Sequence, residues 1–169
     1  SAEDRRRLLV DWNATATELP RERVHELVAA RARETPDAVA AIFEGTELHY
    51  GELDRRSNQL ARLLVERGVT PGARVGVFLE RGLELLVALL AVAKAGAAYL
   101  PLDPAYPADR VAYMLSDSGA SLVITRAAEA EALPELAAGE LRRLLLDAEE
   151  SALDALSADP LSIEAHPDD

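Results

Sequence analysis

Apolar positions fall on one helical face from residue 21 onward: Val24, Leu27, Val28 and Ala32 recur at that spacing until Pro36 and Asp37 break it. About three turns of helix are predicted there. The pattern then changes period. Residues 38–43 (AVAAIF) and 47–50 (ELHY) read as two short strands around Glu44, Gly45 and Thr46, an antiparallel hairpin whose glycine can take a positive φ. Helical spacing returns over 51–68, where Leu53, Ser57, Leu60 and Leu64 share a face and Gly68 is placed to stop the helix.

Beyond Pro71 and Gly72, residues 74–79 (RVGVFL) have the continuous apolar character of a buried strand. Residues 83–95 are apolar almost all round, with Glu84 near the start and Lys94 near the end. Such a run is too short and too interrupted for the roughly 20 residues a bilayer needs, so it predicts a helix buried against a sheet. Three more strands are predicted at 97–102, 121–125 and 143–147, with helices over 107–116 and 127–141 between them. In the helix at 107–116, Val111, Met114 and Leu115 face the core and Gly119 closes it. Strands alternating with helices imply a parallel sheet covered on both faces, an α/β, three-layer architecture with an antiparallel hairpin near the start. After Asp147 the pattern decays into an acidic, proline-containing tail. Residues 1–20 carry the lone tryptophan in LLVDWNATATELP and read as a linker with one aromatic anchor.

Composition narrows the function classes. A net charge of −12 argues against nucleic acid and against an anionic membrane surface as partners. The absence of cysteine excludes disulfides and thiolate chemistry and fits a cytoplasmic location. The N-terminus has no apolar core followed by a cleavage site, so no signal peptide is expected, and the start at Ser1 suggests a cloning scar or an excised piece of a longer polypeptide.

Candidate chemistry is sparse. Lys94 stands alone against 17 arginines, and a cation near a helix C-terminus is favoured by the dipole and can reach terminal carbonyls. A phosphate-binding lysine would instead follow a glycine-rich loop that opens a helix. His49 sits at a helix cap with Glu52 three residues on, a capping-box spacing; as a histidine without a partner in sequence it reads as a turn residue. Asp103 and Asp109 lie near a strand end, where Mg²⁺ or acid–base roles would be placed. Pro104, Pro107 and helix-start logic account for them without chemistry, with Pro107 at the first helical position and Asp109 in the first turn. There is no Walker-type loop, Gly-x-Ser-x-Gly, Gly-x-Gly-x-x-Gly or His-Glu-x-x-His.

The run KAGAAYLPLDPAYPADR, residues 94–110, closely resembles the second core motif of the adenylation domains of non-ribosomal peptide synthetases. The string WNATATELP resembles the connector between condensation and adenylation domains. Leu48, His49, Tyr50, Gly51, Glu52 and Leu53 resemble the first core motif, usually Leu-Thr/Ser-Tyr-x-Glu-Leu, with His49 in place of the hydroxyl residue. Losing that cap hydroxyl costs about 1 kcal/mol at most. Four such segments, the linker string, LHYGELD, VGVFLERGLELLVALLAVAKAGAAYLPLDP and YPADRVAYMLSDSGASLVIT, occur in family order between residues 8 and 125.

The resemblance implies an interdomain linker over 1–20 and an incomplete N-terminal portion of an adenylation domain over 21–169. It implies an adenylate-forming enzyme, related to acyl-CoA synthetases and luciferases, that uses ATP and Mg²⁺ to couple an amino acid to AMP and passes it to a carrier-protein phosphopantetheine thiol. The family's phosphate loop, specificity pocket and catalytic lysine come later in sequence, so no catalytic, cofactor-binding or metal residue is assigned here, and no cofactor is expected on the chain alone. The upstream condensation domain and an MbtH-like activator protein are implied as partners, the latter at Ala105, Tyr106, Pro107 and Ala108. The readings that remain beside the enzyme are an interaction platform for those partners and a stand-alone α/β binding domain.

Overall fold

The computed structural model describes residues 1–17, 22–134 and 141–163. Its centre is a four-stranded parallel sheet in the order β4-β3-β5-β6, built from β3 (Arg74–Phe78), β4 (Ala98–Leu102), β5 (Leu122–Thr125) and β6 (Arg142–Leu145). The two inner strands, β3 and β5, are bare of charge at their centres and buried on both faces, the pattern that an enclosed parallel sheet requires. Side chains alternate across β3. Val75 and Val77 join one core, while Phe78 joins the other.

The larger core lies under α3 (Tyr50–Glu66) and α4 (Leu83–Lys94), where Leu53, Leu60 and Leu64 meet Val87, Ala88, Ala91 and Val92. Small alanines let the two helices approach each other and the sheet closely. On the opposite face α5 (Ala108–Ser118) buries Val111 and Leu115, with Met114 partly buried beside them, and Gly119 closes the helix at φ 66°. Helix, sheet and helix thus form the three layers expected. Gly76 is the point of closest approach: a Cβ there would lie 3.1 Å from Val123 and 3.3 Å from both Leu102 and Leu115.

The hairpin is present as β1 (Val39–Phe43) paired antiparallel with β2 (Thr46–His49), with Glu44 and Gly45 both at positive φ in the turn. The start of α3 shows how local sequence is overridden. His49 is the cap residue, yet its side chain makes no cap hydrogen bond. The carbonyls of Ala38 and Pro36 accept from the N–H groups of Tyr50 and Gly51 instead, at 2.9 Å each. Glu52 turns to Arg55, so the capping box does not form, and the missing hydroxyl at position 49 costs the helix nothing that backbone does not replace.

Helix α2 (Val24–Glu34) matches the first predicted helix and packs against α3 and α4. The boundary expected between residues 20 and 21 lies outside the described residues. Before it, Ser1 caps a short helix, α1 (Ala2–Leu9), through a reciprocal bond with Asp4, and a 3-10 turn follows at Asp11–Asn13. Trp12, expected to anchor this segment, is 66 % exposed. Pro107 is the cap residue of α5 rather than its first helical residue.

The helix expected over 127–141 is only the single turn α6 (Ala127–Ala130); Pro134 disfavours helical geometry before it, and residues 135–140 lie outside the described set. The tail after Asp147 is more ordered than its composition implies. It forms α7 (Glu150–Ala155) and then a strap, residues 156–163, laid over α3.

Candidate functional site

From β3 the chain crosses through α4 to β4 on one side, then returns through α5 to β5 on the other. Open α/β sheets place ligands outside the carboxyl ends of strands at such a reversal, here between β3 and β5. A crevice of about 400 Å³ lies there. It is lined by residues 79–84 after β3, by Arg126 and Glu129 after β5, and by Phe43, Glu44 and Thr46 of the hairpin. Gly82 caps α4 without a side-chain bond, which leaves the helix's first N–H groups facing this end. The wall chemistry is mixed: Arg81 and Arg126 stand among Glu44, Glu80, Glu84 and Glu129.

A neighbouring cleft of about 280 Å³ shares Glu84 and Arg126, and adds Arg55, Arg56, Asp147 and Asp154 over a floor of Leu60, Val87 and Leu146. Much of this charge is internally matched. Arg55 is bidentate to Glu52 at 2.7 Å, which raises the guanidinium's affinity for its proton and lowers the Glu52 carboxyl below its usual value. Asp147 accepts from the Ala127 N–H at 3.1 Å. Among the described residues no cluster of three or more His, Asp or Glu side chains is arranged to hold a metal ion.

Lys94 is buried within a set of oxygen acceptors. It is 8 % exposed, and its Nζ donates to the Asp54 carboxylate at 2.6 Å, to Ser57 Oγ and Asn58 Oδ1 at 2.7 Å each, and to the Asp54 carbonyl at 3.2 Å. Burial lowers its pKa from the ordinary lysine value, and the hydrogen bond and charge of Asp54 oppose that shift. The carbonyls at the end of its own helix, expected to receive this cation, are therefore not its partners; the oxygens that hold it belong to α3. The signal that sequence reasoning missed was the polar trio Asp54, Ser57 and Asn58, at i, i+3 and i+4 on one helix face.

Asn58 also carries the arrangement outward. Its Nδ2 donates to the Ala158 carbonyl at 2.9 Å, beside Gln59 Nε2 to the Leu156 carbonyl at 3.0 Å and Arg62 to the Asp159 carbonyl at 3.0 Å. His25 lines a third, smaller cleft together with Asn58 and Lys94, and burial, with Arg23 and Lys94 nearby, lowers its pKa.

Of the residues singled out for partner binding, Ala105, Tyr106 and Pro107 lie in the turn between β4 and α5, and Ala108 opens α5. Asp103 Oδ1 accepts from the Ala105 N–H at 2.9 Å, and its carbonyl accepts from the Tyr106 N–H at 2.9 Å. Ala105, Pro107 and Ala108 are exposed; Tyr106 is half-buried against the second core, with the Arg110 guanidinium 4.1 Å from its ring centre. Asp103 is thus occupied in its own turn, and Asp109 is exposed in the first turn of α5. His49 Nε2 lies 3.8 Å from Glu47, outside hydrogen-bond range.

The family model for AMP-binding enzymes matches residues 28–169. Chondramide synthase cmdD of Chondromyces crocatus is 46 % identical over 159 residues, 92 % of this chain and 4 % of that protein. The non-ribosomal peptide synthetase FmoA3 superposes in its alpha-methyl-L-serine-AMP-bound form with a TM-score of 0.88 at 38 % identity, covering 100 % of this chain and 18 % of FmoA3. Its AMPPNP-bound form gives a TM-score of 0.83 at 39 % identity, over 94 % of this chain and 17 % of FmoA3. The chain therefore spans a small part of these relatives' length.

Proposed function

Because the chain belongs to the AMP-binding enzyme family, as an N-terminal portion of a peptide-synthetase adenylation domain, we propose that its parent protein activates an amino acid with ATP. The aminoacyl-AMP would pass to a carrier-protein phosphopantetheine thiol, and this segment would contribute scaffold rather than reacting groups. The observation that carries the reading is the likeness to FmoA3 with an aminoacyl adenylate bound, along the whole of this chain.

ATP and Mg²⁺, when bound in the complete enzyme, supply the leaving pyrophosphate and the charge neutralisation that phosphoryl chemistry needs. The donors of this chain do not fit a triphosphate. At the switch-point crevice two arginines and the first N–H groups of α4 stand against four glutamates, which would repel phosphate oxygens, and no glycine-rich loop adds further N–H groups. We therefore place the nucleotide on residues later in the parent, and the fragment alone is expected not to adenylate.

Amino-acid-dependent pyrophosphate exchange tests this. The fragment alone should be silent, and activity should return when the downstream half of the parent is joined or added. Exchange by the fragment alone, or silence of the complete parent across all amino acids, would overturn the reading.

A second role, as a docking platform for an MbtH-like protein, is favoured by the rigid exposed turn at Ala105, Pro107 and Ala108. An Ala108→Glu change should then weaken capture of that protein at least tenfold in calorimetry, since one fully unpaired interface charge costs more than about 1.4 kcal/mol. Unchanged binding removes this surface from consideration.

A further inference from the structure

The strap formed by residues 156–163 is held mainly through its backbone. Three α3 side chains, Asn58, Gln59 and Arg62, donate to the carbonyls of Leu156, Ser157, Ala158 and Asp159. Leu156 and Leu161 add partly buried contacts to the main core, and Ile163 sits against Gly96, where a Cβ would come within 3.1 Å of it. Main-chain capture and these apolar contacts together fix the strap in place.

Among the three donors, Asn58 differs. Its Oδ1 accepts from buried Lys94 at 2.7 Å, and its Nδ2 donates both to Asp54 Oδ2 at 3.2 Å and to the strap at 2.9 Å. The amide plane is thus set from inside the protein by the Lys94–Asp54 pair before it reaches the strap. Lys94 itself makes no hydrogen bond to the strap among the described residues, though it lines the cleft that Pro160, Leu161 and Ile163 cover.

We propose that Lys94 and Asn58 are positioning residues for the reaction of the parent enzyme: the ion pair on α3 and α4 orients Asn58, Asn58 pins the strap, and the strap fixes where the following polypeptide leaves this layer. The functional part of this proposal rests on the reading above that the nucleotide-holding residues follow in the parent chain. A displaced origin would misplace them, and a misplacement of about 1 Å can cost around a hundredfold in rate.

Limited proteolysis within residues 157–163 tests the coupling on the full 169-residue chain, read against cleavage within β3, which requires global unfolding. Asn58→Ala should speed strap cleavage about tenfold, the loss of a hydrogen bond of roughly 1.4 kcal/mol. Lys94→Met should do nearly the same, and the double variant should be no faster than either within about twofold, because one route is being cut twice. Gln59→Ala, which touches the strap but not Lys94, should multiply with Lys94→Met. Should Lys94→Met not fold, Ser57→Ala removes one acceptor of Lys94 and should shift the strap in the same direction by about threefold.

Strap rates unchanged in Lys94→Met or Ser57→Ala, or multiplying in the Asn58–Lys94 double variant, would overturn the coupling. In the parent enzyme, Asn58→Ala should lower kcat for pyrophosphate exchange about tenfold while the amino-acid KM holds. A kcat unchanged while the strap is loosened would overturn the positioning role. A wild-type parent with no exchange activity would overturn both the adenylation reading and that role, and the proteolysis result would still decide the coupling.

Discussion

At Lys94 a single charge is buried among oxygens of one neighbouring helix, with its carboxylate partner Asp54 more exposed than itself. Replacing Lys94 by Met leaves Asp54, Ser57 and Asn58 facing an apolar side chain, and breaking a buried pair in this way typically costs about 3–5 kcal/mol. Because the Asp54 side chain keeps 19 % exposure and can recover water, a loss of about 3 kcal/mol is expected in urea unfolding. Pairing Lys94→Met with Asp54→Asn should recover part of it. His25 gives the molecule a pH dependence of opposite origin. Its pKa is lowered in the fold, so the unfolded chain takes up the proton first as pH falls. The stability tied to neutral His25 is therefore complete above pH 6.5 and declines below it, through the window down to the folded value. His25→Gln should flatten that part of a stability–pH curve, measured by chemical denaturation. At lower pH a second decline follows from Glu26, held near about 2 by Arg23: its contribution is present above about 4.5 and fades as pH approaches 2. That pair is solvent-exposed, so the second decline is shallow.

Among the elements, β3, like β5, feeds both cores. Gly76 sits where three side chains from β4, α5 and β5 converge, so its lack of a side chain sets how closely α5 can lie on the sheet. Gly76→Ala gains backbone entropy but must push Val123, Leu102 and Leu115 apart. Overpacking of this kind costs about 1–3 kcal/mol, so a net loss is expected, readable as a lower Tm. The same element shows why some of the fold was legible. Helices α3 and α4 and strands β3 and β5 bury one or both faces in a continuous core, and burial writes a period into the side chains. The strap and α1 do not carry such a period. The strap is held by its own carbonyls, which every sequence possesses, and α1 is held by a terminal capping box with no buried residue. Pro134 is plain in the sequence, and its bias against helical geometry in the residue before it outweighs the alanine and leucine content that favours a longer α6. Of the candidate site, the turn at Ala105 to Ala108 could be placed by proline and Asx-turn chemistry. The partners of Lys94 could not, because α3 and α4 meet only once the sheet has brought them together.

Over the whole molecule, the basic side chains divide by type: Arg55, Arg56, Arg62 and Arg67 pair at or near the surface, while the one lysine is folded inward. That distribution has a chemical consequence. Lys94 carries the sole side-chain amine of these residues, and it is 8 % exposed and saturated with acceptors. An acylating reagent should therefore label Lys94 in the native protein at least a hundredfold more slowly than in the urea-unfolded chain, in proportion to openings worth about 2.7 kcal/mol or more. Mass spectrometry of the labelled peptide would check this, and equal labelling of the two states would contradict the buried placement. Modification of this lysine thus becomes a covalent clock for the opening of the core around it.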